Sequence, residues 1–372
     1  MKRARIVPAI VLTSAIGVAL WLLLRNGASD QPDSKKTVVP GMASQPARPV
    51  SPSPRKIGAP ESGTGAFSRF TLERMTPWLE SRQRDAAGLI AMWDLTGEES
   101  LLQEAAKNFP DNPRVCVAMI HHLLSKGTEA TPWVDRLLAA EPKNPAGWYW
   151  KARMQAKSKN NAATLEALKT AIGTKGAPDN HLPERMLTVR EAALASGFSI
   201  KEAAQAMWAG PLERNALLPA VGGGIGRVLH EELQAAKKAG DTERVVEIAS
   251  LGAATGEHLA LIRAPMLLDD LVRVTFLKGM LGELDPATEF GDQGKTVADR
   301  LREVTAEKEE FLVMAKGYDK RTDIPEMSSL TDSQASEYMD RVLLHGEWAA
   351  KRWLLAELAP AGGSASPKEG AQ

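Results

Sequence analysis

Cysteine is almost missing from this chain of 372 residues: Cys116 is the single one, so no intramolecular disulfide can form. That says nothing about redox compartment, because helical domains of this size fold without covalent staples. Aromatic residues are also scarce, at 5%, and the 44% apolar share rests mainly on Ala and Leu. Strand-forming β-branched and aromatic side chains are under-used, so the composition favours helices. Histidine occurs six times, scattered. With one cysteine beside them, these residues make no Ser-His-Asp or Cys-His signature of nucleophilic catalysis. Net charge is lacking as well, with 46 Lys and Arg against 46 Asp and Glu. The balance is uneven along the chain: residues 1–66 hold nine Lys or Arg and three Asp or Glu, which leaves the remainder acidic. An acidic body argues against nucleic acid as a partner, since tracking phosphates needs a basic face.

The N-terminus is what the composition does supply. Lys2, Arg3 and Arg5 precede nineteen residues without a charge, Ile6 to Leu24. At about 1.5 Å per residue a helix there spans about 28 Å, the depth of a bilayer core. A cleaved signal peptide needs a shorter apolar core and small residues at its cleavage site. Here Trp21-Leu22-Leu23-Leu24 runs into Arg25, the nearest candidate site begins with Asn26, and no lipoprotein cysteine follows. The expectation is a retained anchor over residues 1–25, single-pass in a bacterial inner membrane with the body on the periplasmic side. Residues 26–66 contain seven Pro, six Ser and five Gly and almost no large apolar side chain, which predicts a disordered linker reaching about 40 Å as a random coil. Residues 360–372 read as a disordered tail.

Between these ends nearly every segment carries a helical apolar stripe. Helices are expected over 70–93, 97–108, 113–126, 131–140, 145–158, 161–173, 183–196, 199–209, 219–239, 241–253, 258–282, 295–316 and 332–358. Thr76-Pro77 and Thr131-Pro132 offer an N-cap followed by a proline whose missing N–H costs nothing in the first turn. Thr96 with Glu99 and Ser199 with Glu202 have the spacing of capping boxes. Gly127, Gly240 and Gly282 fall where helices should stop.

One phrase occurs twice. Asn108 to Pro113 reads NFPDNP, and thirty-two residues later AEPKNP places Pro142, Asn144 and Pro145 at the positions of Pro110, Asn112 and Pro113. A turn that closes one helical hairpin and opens the next accounts for such spacing. The unit resembles the tetratricopeptide repeat, of about 34 residues. Trp148, Ala152 and Ala171 fall at its first-helix aromatic, its small packing residue and its second-helix alanine, and Ala105 and Pro110 match in the preceding unit. Lys238-Ala239-Gly240-Asp241 looks like the loop inside such a unit. The resemblance implies an all-α helical-hairpin solenoid over residues 67–257, with additional helices over 258–359, and protein or peptide binding on its inner face.

Candidate partner-binding residues on that face are Tyr149, Trp150 and Arg153. Trp148 is expected in the core and Tyr149 exposed, because neighbours on a helix point about 100° apart. Trp78, Trp93, Trp133, Trp208, Trp348 and Trp353 are assigned to packing. His121 and His122 point to different faces and cannot share a metal as an i, i+4 pair does. His230-Glu231-Glu232 lacks the second His of a zinc-protease helix. Val221 to Gly226 (VGGGIG) breaks the dinucleotide pattern at Arg227 and reads as a tight connection or a close helix approach. A helix starting near Ile225 would make Arg227 an anion-binding candidate. The run Asp299 to Glu310 reads as a solvated helix face. No catalytic, cofactor or metal set is assigned. The function expected is a membrane-tethered, non-catalytic protein-interaction scaffold of the cell envelope. The alternatives are an enzyme with its site between the repeat region and the C-terminal helices, and a self-associating spacer.

Overall fold

The computed structural model describes residues 70–358 except 214–216, 263–266, 291–293 and 320–328. The expected anchor, linker and tail lie outside the described residues. No helix among the described residues is long and apolar enough to cross a membrane. They form fourteen helices: α1 (Leu72–Ser81), α2 (Ala86–Thr96), α3 (Glu99–Asn108), α4 (Pro113–Ser125), α5 (Thr131–Ala140), α6 (Pro145–Lys157), α7 (Asn161–Gly173), α8 (Leu182–Ala195), α9 (Ile200–Glu213), α10 (Leu217–Ala239), α11 (Thr242–Leu259), α12 (Leu267–Leu281), α13 (Val297–Asp319) and α14 (Asp332–Leu358). Among the described residues the β-structure is one isolated bridge, Glu289 to Thr296. The fold is all-α.

The doubled phrase works as its chemistry requires. Asn112 and Asn144 cap α4 and α6, each side-chain oxygen accepting from the backbone N–H two residues on, at 3.0 Å, with Pro113 and Pro145 in the first turn. The Ser199–Glu202 box forms, with the Glu202 carboxylate accepting from the Ser199 N–H and the Ser199 hydroxyl accepting from the Glu202 N–H. Gly127 and Gly240 take the left-handed conformation beyond α4 and α10.

Other helix ends differ from expectation. The stretch 70–93 is two helices, because Gln83 and Arg84 adopt positive φ and Asp85 starts α2 by accepting from the Gly88 N–H. Thr71, not Thr76, caps α1, and Pro77 sits inside that helix on its exposed side. Thr96 gives its hydroxyl to the Met92 carbonyl at 2.7 Å, so the Thr96–Glu99 box does not form. Ala130 holds the N-cap position expected of Thr131, with Pro132 still in the first turn. α11 continues to Leu259, and α12 is a separate helix rather than part of a 258–282 rod. Gly346, at φ 85°, kinks α14.

Neighbours joined by short turns pack on one another, α2 with α3, α4 with α5, α6 with α7, α8 with α9 and α10 with α11, and α12 packs on α13 across the longer connection 282–296. Two longer-range choices set the tertiary arrangement. α8 turns back onto α1 and α2, and α10 packs on α6 and α7. One apolar core runs from Cys116 on α4 to Phe311 on α13, passing through the expected 257/258 boundary, which falls inside α11. A second joins α8, α9 and α14 through residues such as Met186, Met207 and Met339. From Phe70 onward the chain is a single contact unit.

Asn144 has more partners than Asn112. It also accepts from the Asp179 N–H and donates to Glu141 and to the Asp179 carbonyl, stitching the loop before α8 to the turn before α6. Losing a side-chain cap costs about 1 kcal/mol, so Asn112→Ala is expected to lower unfolding free energy by about that much. Asn144→Ala should cost about 1–2 kcal/mol more through its further bonds. Urea titrations of both variants read the difference, and equal losses would show that the extra bonds carry no net stability.

Candidate functional site

α6 carries the three expected binding residues, and its burial differs from the expectation. Tyr149 and Trp150 are both fully buried, while Trp148 is only partly so, with the Lys151 ammonium 5.2 Å above its ring. α6 is flanked by α5 and α7 and is also covered by α10, so two faces of the helix are enclosed rather than one seam. Tyr149 therefore cannot be an exposed contact. Its hydroxyl lies 2.9 Å from His258 Nδ1, and His258 Nε2 lies 2.9 Å from the Gly176 carbonyl. A carbonyl can only accept, so Nε2 carries the proton and Nδ1 accepts from Tyr149. Burial pushes the Tyr149 hydroxyl pKa well above its ordinary value and keeps it a donor.

Trp150 and Arg153 face the opposite way, toward α4 and α8. The His121 ring meets Trp150 edge to face at a centroid distance of 4.7 Å, and the Arg153 guanidinium is 5.8 Å from the Trp150 ring. Behind them Arg185 of α8 grips Asp94 of α2 through Nε at 3.2 Å and Nη2 at 2.7 and 2.9 Å. This pair is dry, with the side chains only 2% and 0% exposed. Desolvation, reinforced by the Arg185 and Arg153 cations, holds the His121 pKa well below the usual imidazole range, so the ring is neutral at pH 7. Desolvation alone pushes Arg153 down to about 10, which leaves it charged at neutral pH. His122 points elsewhere, edge-on to Trp93 at 5.9 Å, as expected of adjacent residues.

The remaining sequence candidates resolve as follows. Arg227 is not near a helix start, since α10 begins at Leu217; its guanidinium donates to Glu231 at 2.9 Å and to the Ala156 carbonyl at 3.1 Å. The helix start on which the Arg227 expectation rested is therefore not at Ile225 but at Leu217. Residues 221–226 lie inside α10, where a Cβ on Gly224 would sit 3.6 Å from that of Ala156, a close helix approach rather than a tight connection. The run 299–310 is only in part a solvated face, because Arg300 reaches α11 and binds Glu257 at 2.6 Å. Trp78 and Trp93 are buried, Trp133 and Trp348 pack on the first core and Trp353 on the second. The side chain of Trp208 lies outside the described residues.

Two constellations had no local motif to announce them. In the loop before α8 and its first turn, Asp179, His181 and Glu184 bring three donor atoms within 4.8 Å of one another, and His181 Nε2 is 3.1 Å from Glu141. Of the three, Asp179 lines a shallow groove of about 380 Å³ together with Glu141 to Asn144, in the second copy of the doubled phrase. The donor types suit a divalent cation, yet the same atoms already cross-link the loop. On α12 to α14, Arg273 lies between Asp270 at 3.6 Å and Glu307 at 3.0 Å, while Lys351 pairs with Glu347 in a buried i, i+4 contact. Burial pushes Asp270 up to about 6 against the pull of Arg273.

No protein-family model matches this chain, and no curated protein matches it.

Removing one member of a buried ion pair strands the other, at about 3–5 kcal/mol. Arg185→Met is expected to cost that much in chemical denaturation, and the Asp94→Leu, Arg185→Met double variant to recover most of it; a single variant within 1 kcal/mol of the parent, by the same estimate, would mean water reaches Asp94. For Asp270 the sign follows from a raised native pKa. The native state holds the proton more tightly than the unfolded chain, so this contribution is complete below about pH 4 and is lost as pH rises through 6. Stability should fall by about 3 kcal/mol between pH 4 and pH 7 relative to Asp270→Asn. Parallel slopes for parent and variant in pH-resolved unfolding would refute this assignment.

Proposed function

We propose that the chain is a membrane-tethered, non-catalytic scaffold of the bacterial cell envelope, anchored by Ile6 to Leu24 and carrying a tetratricopeptide-like array of helical hairpins on the periplasmic side. The observation that carries this reading is the pairing of consecutive helices around the Asn-Pro turns, continued where α10 and α11 pack on α6 and α7. In such arrays stacked pairs bury a continuous core and leave an inner face for a protein or peptide. The linker holds the body near the bilayer without pressing it down, which suits capture of a partner at a distance. α8 occupies the α2 end of that face, so the open portion lies toward α4 and α6, where His121 and Arg153 remain partly exposed.

The buried ionisable cluster of α12 to α14 favours a second reading, an enzyme. An Asp270 carboxyl poised near pH 6 has the proton affinity of a general acid or base. Its position among helices beyond 258, rather than against the hairpin pairs, is why the scaffold reading is preferred.

Affinity capture from the envelope fraction with the full-length protein is expected to recover a defined partner that is lost with Arg153→Glu, and to recover the same partner with Asp270→Asn. Recovery of none under conditions where a known scaffold retains its partner would count against the scaffold. Deleting residues 1–25 should move the body from the membrane pellet to the soluble fraction, and its staying in the pellet would remove the anchor.

A further inference from the structure

Between α4, α6 and α8 three buried nitrogens lack a hydrogen-bond partner among the described residues. Trp150 Nε1 can only donate and is fully buried. Arg185 Nη1 is equally dry and unpaired, because Asp94 engages Nε and Nη2 and leaves this nitrogen over. His121 Nε2 has no partner either. Buried donors in native structures are nearly always satisfied, and those that are not call for a water, an ion or a ligand.

The charge count separates these. Asp94 balances Arg185, and His121 is neutral. Arg153 remains, set beside the Trp150 ring with no carboxylate on it among the described residues. The lowering of its pKa comes from desolvation alone, with no acidic side chain opposing it. Among the described side chains, Asp94, Arg185, His121 and Arg153 therefore sum to one positive charge. Water satisfies a donor but does not balance a cation; an oxyanion does both, through charge-assisted hydrogen bonds.

Exposure gives the direction of entry. Arg153 and His121 are partly exposed as residues, although His121 Nε2 itself is not, whereas Trp150 and Arg185 are buried behind them. We propose that this cluster receives one oxyanion group, a carboxylate or a phosphate, with Arg153 at the mouth, Trp150 Nε1 and Arg185 Nη1 as the inner donors, and His121 Nε2 joining them in the tautomer that carries its proton there. Arg153 supplies the opposite charge and a planar fork suited to two oxygens. The indole N–H fixes one oxygen without adding charge. This inference does not depend on the scaffold reading, since a free small anion and an acidic group on a peptide present the same chemistry.

The test follows the Trp150 indole N–H resonance in full-length protein held in detergent micelles, assigned by its disappearance in Trp150→Phe. Inorganic phosphate, acetate and a short peptide ending in glutamate are titrated separately, with sodium chloride at matched ionic strength as the control. At least one probe is expected to shift the resonance saturably while chloride does not. Arg153→Met should weaken that probe at least tenfold, and Arg153→Lys, which keeps the charge but loses the fork, should fall between. Saturation by phosphate or acetate assigns a free anion, and saturation by the peptide alone assigns a peptide carboxylate. The proposal is overturned if no probe saturates, or if Arg153→Met, with an unchanged thermal midpoint, binds as the parent does.

Discussion

A carboxylate and a guanidinium 91 residues apart in the chain meet out of reach of water between α2 and α8. Taking both charges out of solvent is expensive, and their mutual attraction offsets that cost only when the geometry is good. Three contacts between Arg185 and Asp94 supply it. Apolar packing alone would let α8 slide or rotate on its neighbours, because dispersion is not directional. An ion pair that must be met is directional, and it sets α8 against α2 in one register. The placement of α9 and α14 follows, since α9 pairs with α8 and α14 packs on α9.

The same commitment shapes the electrostatics of the cluster between α4, α6 and α8. Burial first, and then the Arg185 and Arg153 cations, keep the His121 imidazole neutral. A neutral ring can pack edge-on against Trp150 where an imidazolium would need solvation. Across α6 the chemistry is of another kind: Tyr149, His258 and the Gly176 carbonyl form a closed chain in which each donor has an acceptor. One side of the helix has its donors met, and the other has buried nitrogens without partners among the described residues. That asymmetry is why the proposed anion site lies on the α4 and α8 side.

Local punctuation was legible in the residues. Asn112 and Asn144 cap where an Asn before a Pro should, and Gly240 and Asp241, the second half of the expected loop, connect α10 and α11, while Lys238 and Ala239 still belong to α10. Errors arose where a local signal had a competitor. Thr76 could cap or return its hydroxyl to the preceding turn, and it returns it to Leu72 at 2.7 Å. Thr96 does the same with Met92. Trp150 and Arg153 were legible as candidates from aromatic and cationic spacing on one helix. Their partners His121 and Arg185 were not, because they come from other helices and neither stands in a motif. The direction of Tyr149 was misread because one seam was assumed where α6 has two.

What the sequence determines by itself is therefore the helical fold class and many of the helix boundaries, with the expected anchor and linker legible only as composition. These depend on propensity, capping and turn chemistry acting within a few residues, where the chain order already places the interacting groups together. Which face of α6 is buried, that α8 returns to α2, that Tyr149 finds His258 109 residues away, and that Arg153 meets no carboxylate among the described residues were decided only in the tertiary structure. Such contacts are chosen by the joint packing and desolvation of distant segments, and no stretch of sequence short enough to read alone contains both partners.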